Sequence, residues 1–257
     1  MKKLSMTLMA VLFALTCVPA FTADAKDQTK QADPAKRSVF QIGFFPGVPN
    51  STRDYNVYGI KIGAPMVDGL HWVYGVEASV LYSGTFYVKG CQATLAGPAL
   101  AIRVEGMQAT CGPAFVRELI GFQAGTAAVI LNEGYGCQAG IASVANHFKG
   151  FQTGAVNVTY NVLDGFQFGG VNVVDDTFAG CQIGGVNVAS ARFKGGVQVG
   201  VVNIATRNGF QIGGINIMPA AWIPVLPFFN YAPEKKQKTD DAKAAQTQTN
   251  VKVNKAK

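Results

Sequence analysis

The chain is poor in charge. Asp, Glu, Lys and Arg make up 14% of its 257 residues, against about 25% in ordinary soluble domains. It has two histidines, His71 and His147. It lacks any HxxxH or CxxC pair and any acidic cluster with metal-ligand spacing, so a metal centre is not written locally. No serine stands in a His/Asp pattern. No glycine-rich loop opens a helix, which excludes the usual phosphate cradle. Long amphipathic helical runs are missing, whereas Val, Ile, Phe and Gly are plentiful. That composition points to an all-β chain.

The net charge of +7 does not belong to the body of the protein. Residues 38–231 carry nine basic and nine acidic groups, and the excess sits in the ends. A neutral body lacks the electrostatic footprint of a nucleic-acid binder.

The first 25 residues have an export layout. Lys2 and Lys3 precede an apolar run from Leu4, and Ala23-Asp24-Ala25 supplies small residues for cleavage. The apolar core is short for a spanning anchor, so residues 1–25 are read as a cleaved signal peptide. Lipidation at Cys17 is the weaker alternative, because Thr16 replaces the preferred Gly or Ala. Residues 26–37 are read as a flexible spacer. Residues 232–257, with seven lysines, are read as a disordered tail, whose charge is one route to a membrane or envelope polymer.

Between these ends lies a repeat. Its clearest copies are GFQTGAVNV, GFQFGGVNV, GCQIGGVNV, GVQVGVVNI and GFQIGGINI, between Gly150 and Ile217. Traced backwards, a marker glycine recurs at positions 59, 75, 90, 106, 121, 136, 150, 165, 180, 196 and 209, in steps of 13 to 16 residues. The next residue is apolar every time. Two after the glycine stands Gln in the last nine copies: Gln92, Gln108, Gln123, Gln138, Gln152, Gln167, Gln182, Gln198 and Gln211. Lys61 and Glu77 hold that place in the first two. Four after it comes Gly, Ser or Thr. Seven after it, the last five copies have Asn157, Asn172, Asn187, Asn203 and Asn216.

Alternating apolar and polar residues give the strand period of two. A unit of this size cannot bury a face alone, so units must stack. Two architectures compete. In an antiparallel outer-membrane β-barrel, turns and loops would alternate in length, and like positions would not meet. In a β-solenoid, identical positions stack about 4.8 Å apart and Gln and Asn side chains form ladders. The uniform spacing favours an all-β solenoid of about eleven 15-residue coils over residues 57–218. Phe, Cys and Ile after the glycines are then expected to fill its core, and glycine to bend its corners at positive φ. Ser38 to Asn56, broken at Pro46 and Pro49, is the expected N-terminal cap. Residues 219–231, with Pro219, Pro224 and Pro227 and seven large apolar side chains, are the expected C-terminal lid.

Cys91, Cys137 and Cys181 share one repeat position, three coils apart. Stacked coils would separate them by about 14 Å, so no disulfides are expected. They and Cys111 are expected to be mostly buried thiols. Asp175-Asp176 is read as a solvated turn, since neighbouring copies do not repeat it.

Val57-Tyr58-Gly59, Val73-Tyr74-Gly75, the GxQxGxxN copies and Val225-Leu226-Pro227-Phe228-Phe229-Asn230 resemble the hallmarks of a family of bacterial surface repeat-containing proteins of unknown function, known best from leptospires. The resemblance spans roughly residues 38–231 and implies a cell-envelope location. It brings no catalytic residue and no cofactor. The functional expectation is an exported, non-enzymatic β-repeat protein with a structural or interaction role. The alternatives are a membrane barrel and a carbohydrate-binding or -cleaving solenoid.

Overall fold

A computed structural model describes residues 36–49, 51–190, 192–206 and 209–232. The leader with Cys17 lies outside these residues. So do the spacer apart from Lys36 and Arg37, and the Lys-rich tail apart from Ala232. The described chain is a β-solenoid of about eleven turns. Its strands are β1 (Lys36–Gly43), β2 (Tyr55–Gly63), β3 (Met66–Ser79), β4 (Tyr82–Thr94), β5 (Ala99–Thr110), β6 (Ala114–Val174), β7 (Thr177–Ala189), β8 (Arg192–Ala205), β9 (Gly209–Ile217) and β10 (Val225–Ala232). One helical turn, α1 (Ser51–Asp54), precedes β2. The long β6 contains Gly121, Gly136, Gly150 and Gly165, so the chain rounds those corners without leaving the ladder.

The strands neighbour one another in chain order. From β2 to β9 the named pairs are parallel, and repeat positions lie on repeat positions: Gly75 on Gly90, Gln92 on Gln108, Asn172 on Asn187. This parallel, in-register stacking overturns the barrel alternative, which requires antiparallel neighbours.

Ten of the eleven marker glycines have positive φ; in the coil of Gly196 the preceding Gly195 takes that role, where β8 carries a bulge. Gly165 shows why the residue is needed. Its φ is +145°, and a Cβ there would lie 2.1 Å from the carbonyl oxygen of Gly150 in the coil below. Backbone conformation and close approach both exclude a side chain.

The interior departs from the sequence expectation. The apolar residues following the glycines point outward: Ile60, Val76, Met107, Phe122, Phe151, Phe166 and Phe210 are exposed. The glutamines point inward, and all nine are at most 1% exposed. The apolar core comes from a different column, two residues before the glycine in eight coils: Val57, Val73, Val88, Val104, Leu119, Phe148, Leu163 and Phe178. In a strand that column shares its face with the glycine and the Gln. Gly134 occupies the same column in the sixth coil, where the side chains of Ile130 and Phe148 fill the gap.

The terminal caps also differ. Val39, Gln41 and Gly43 copy the repeat with Val in place of the marker glycine, and β1 joins the sheet beside β2. The expected spacer boundary therefore moves to Lys36. At the other end Pro227 does not stop pairing. It sits in a bulge of β10, which runs antiparallel to β9 from Val225↔Ile217 to Ala232↔Gly209. The expected lid is inverted: Trp222, Phe228, Phe229 and Tyr231 face outward, whereas the polar Asn230 is buried, as are Met218 and Ala232 on either side of residues 219–231.

Gly195 has φ +115°, but a methyl group added there would meet nothing within 4 Å. Gly195→Ala should therefore cost only the backbone term, about 1–3 kcal/mol. Gly165→Ala adds a clash with backbone and should cost clearly more. Thermal or urea unfolding of the two variants checks the order, and equal losses would contradict the close-approach argument.

Candidate functional site

The predicted repeat residues form two buried amide ladders. Each Gln Nε2 donates to the Gln Oε1 of the preceding coil, from Gln108→Gln92 through Gln211→Gln198, at 2.7–3.0 Å. Several also reach across their own coil to the far wall: Gln123 to Val129 O, Gln138 to Val144 O, Gln182 to Val188 O. A coil this narrow lets one Gln side chain bridge both walls. The facing positions are accordingly small, such as Ala128, Ala145, Ala189 and Ala205.

The Asn ladder runs the other way. Asn157, Asn172, Asn187 and Asn203 each donate from Nδ2 to the Oδ1 of the next Asn, all at 2.8 Å. The same Nδ2 groups bind the carbonyls of Phe168, Ile183, Val199 and Ile212. The Gly four after each marker makes room for this. A Cβ on Gly169 would meet Asn157 Nδ2 at 2.6 Å. The two columns have opposed dipoles inside one core.

Each ladder must end. The donor end of the Gln column meets a carboxylate: Gln92 Nε2 donates to Glu77 Oε1 at 2.8 Å. Thr85 donates to Glu77 Oε2. Lys61, 1% exposed, lies 3.7 Å from Glu77 Oε2 and donates to Thr85 Oγ1 and Asp68 O. Burial pushes the Lys61 ammonium below the ordinary lysine range, with Glu77 and Asp68 pulling back. Tyr82 is pushed up to about 12 by burial and by the Asp68 and Glu77 charges. The two departures from Gln are thus one buried ion pair that closes the column. At the other ends, Gln211 Oε1 and Asn157 Oδ1 have no hydrogen-bond donor.

The ladder amides are sealed from solvent, so the columns hold the coil and are not a binding site. Among the described residues no group of three His, Cys, Asp or Glu is placed to hold a metal. Asp175 and Asp176 lie on the turn between β6 and β7, as read from sequence.

One outward face of the solenoid is mainly apolar. One and three residues after each marker glycine, side chains line one sheet face from Phe40 and Ile42 in β1 to Phe229 and Tyr231 in β10. Phe166 and Phe168 are each 54% exposed. The thiols follow this face: Cys137 is exposed and Cys91 and Cys181 are half-buried, and all three are free. Cys111, also free, is exposed. The expectation of mostly buried thiols fails for the same reason as the expected core.

Beside that face two features were missed in the sequence. Trp72 stands in a stack of rings: Tyr58 stacks on Tyr74 at 4.7 Å, and Trp72 stacks on Tyr74 at 5.5 Å and on Tyr87 at 5.0 Å. Arg37 covers the Tyr58 ring. Tyr58, Tyr74 and Trp72 spend their ring faces on one another, on Tyr87 and on Arg37, while Tyr87 meets Phe86 edge to face. Farther along, Arg103 binds Glu105 and Glu118 at 2.9 and 3.0 Å, and Lys89 lies 3.3 Å from Glu105. The Arg103 hydrogen bond holds Glu105 below the usual carboxylate range.

No family model, curated protein or solved structure matches this chain.

Two stability effects follow. Glu77→Gln restores the repeat consensus but removes the carboxylate that balances the buried Lys61 ammonium, so it should cost about 3–5 kcal/mol. Adding Lys61→Gln should recover much of that loss in denaturant unfolding, which a simple packing role for Glu77 would not do. Ser143, one coil before Asn157, already donates to Thr153 O, and Gly154 leaves space for a larger amide. Ser143→Asn should extend the ladder onto Asn157 Oδ1 and gain about 0.5–1.5 kcal/mol, read as a higher Tm.

Proposed function

We propose that the chain is an exported protein of the bacterial cell envelope that serves as a structural or interaction scaffold and carries out no catalysis. One observation carries this reading. The Gln and Asn side chains that recur along the array are consumed in internal ladders, while the face that repeats outward is mainly apolar, with three free thiols on it. A rod built this way offers surface, and contiguous apolar surface of this size marks interaction sites. The export layout of residues 1–25 and the resemblance to bacterial surface repeat proteins supply the location. Within that family reading, secretion through Ala25 cleavage is preferred to lipid attachment at Cys17, and the Lys-rich tail is a secondary contact with anionic envelope material.

Expression with its own leader in a bacterial host should give a mature N-terminus at Lys26, recovered in the envelope or periplasm. Deleting residues 2–25 should leave the chain in the cytoplasm. Cys17→Ser should change neither mass nor fraction. An uncleaved chain retained in the cytosol overturns the envelope reading, and a lipid-modified Cys17 replaces the cleavage site.

A further inference from the structure

The apolar face has an order that its apolarity alone does not require. With the coils numbered 1 to 11 from Gly59 to Gly209, β1 lies before them and β10 after. Coil 6 carries Cys137, coil 3 Cys91 and coil 9 Cys181. The thiols are therefore symmetric about the middle coil. Most of that column mirrors about the same point, the departure being Ile60 in coil 1 against Phe210 in coil 11. Phe122 and Phe151 flank the centre, Met107 and Phe166 come next, and Val76 and Val197 stand outside the cysteines. Even the flanking strands match, with Phe40 in β1 and Tyr231 in β10.

The neighbouring column, three residues after each glycine, is asymmetric in a complementary way. Coils 2 to 4 are shallow there, with Ala78, Ala93 and Ala109, and coils 8 to 10 bulky, with Phe168, Ile183 and Val199, while the ends carry bulk on both sides, Ile42 and Ile62 at one and Ile212 and Phe229 at the other. Reflection through coil 6 sets each of these Ala residues against a bulky one.

We propose that the occupant of this face is a second copy of the chain, packed face to face with the rods antiparallel, about a two-fold axis that runs along the strand of coil 6 over Cys137. That axis preserves position along the strand and reverses the coil order, so each column meets itself with coil n over coil 12 − n. The mirrored column then meets its own kind, Phe122 against Phe151 of the second copy. In the other column, bulk enters recess, Phe168 against Ala109 and Ile183 against Ala93. An isologous contact demands this kind of self-complementarity. A lipid surface places no such demand on coil order.

The area fits. Thirteen strands at about 4.8 Å and two columns on one sheet face cover roughly 750 Å² per copy. Two copies would bury about 1,500 Å², within the range of a specific stable interface. Packed sheets at about 10 Å interleave side chains of this size. The charges fall at the rim, one residue before the glycines, at Lys89, Glu105, Lys149 and Asp164, where interfaces place them and where solvent screens the approach of Glu105 to Asp164 that the same axis sets up.

This names the occupant of the face on which the scaffold reading rests, and the two fail separately. A monomer that is correctly exported sinks the dimer alone; a dimer retained in the cytoplasm sinks the envelope location alone.

The thiols are built-in reporters. Sedimentation of the full chain at micromolar concentration should give twice the monomer mass. A chain whose only thiol is Cys137 should be linked to a dimer by a short bis-maleimide. A Cys91-only chain should not be, since its two thiols would lie about 29 Å apart over six coils. Mixing Cys91-only with Cys181-only chains should restore the link. Phe122→Asp, on an outward position, should weaken the dimer at least 100-fold while leaving the β circular dichroism unchanged; the cross-linking pattern decides the matter if that variant misfolds. Efficient Cys91-to-Cys91 linking would place the rods in parallel and overturn the proposal. So would a monomer at tens of micromolar. A monomer that floats with neutral phosphatidylcholine vesicles would assign the face to lipid instead.

Discussion

The amide-to-amide hydrogen bond between successive coils is the constraint on which the rest of this fold depends. A primary amide has a donor and an acceptor on opposite sides, so a stack of identical amides at strand spacing satisfies itself. It does so only when the coils are parallel and in register. Each net bond is worth about 0.5–1.5 kcal/mol, but a slip by one residue would leave buried polar groups unpaired at a larger cost. The ladders therefore act chiefly on specificity. They select one register among many that the uniform apolar columns would tolerate.

That choice explains the inverted polarity. A coil of about 15 residues leaves little room between its walls, and one Gln fills it by reaching from its strand to the opposite carbonyl. A Phe at that position could fill the space but not satisfy the wall. The glutamines thus take the inside, and strand alternation sends the next residue out. With Phe, Ile and Val there, the coil reads as apolar–polar in both directions, and hydrophobicity alone assigns the faces wrongly.

This is where the sequence was legible and where it was not. Like-on-like stacking leaves like residues at a fixed period, so the coil length, the parallel register and both columns could be read from Gln92 to Gln211 and Asn157 to Asn216. The facing could also have been read, from the charges. Lys89, Glu105, Lys149 and Asp164 stand one before a marker glycine, and Arg103, Glu118 and Glu133 three before. These positions share a parity with the apolar residues taken for the core, and that parity must face water. The Lys61–Glu77 pair was equally present as two opposite charges at one stacked position in adjacent coils. The aromatic stack was harder to see. Tyr58 and Tyr74 share one column, Trp72 and Tyr87 another, and only the packed coils bring the columns together. The strand course of 225–232 was hidden behind Pro227, whose missing N–H is absorbed by a bulge.

The ends of the array bear on its mode of assembly. A solenoid is an open ladder, and an unbroken repeat would invite another molecule onto each end. Here the repeat is broken at both. β1 has Val39 where every coil has glycine, and the Gln column stops two coils earlier on a buried ion pair. At the far end β10 reverses direction, and its bulge at Pro227, with Phe228 at φ 68°, disrupts the outer edge. An antiparallel strand cannot seat a parallel coil above it in register. Growth along the axis is thereby blocked by the same irregularities that terminate the ladders. The apolar face, interrupted at Thr153, runs along the side, so lateral contact is the direction of association that this architecture leaves open.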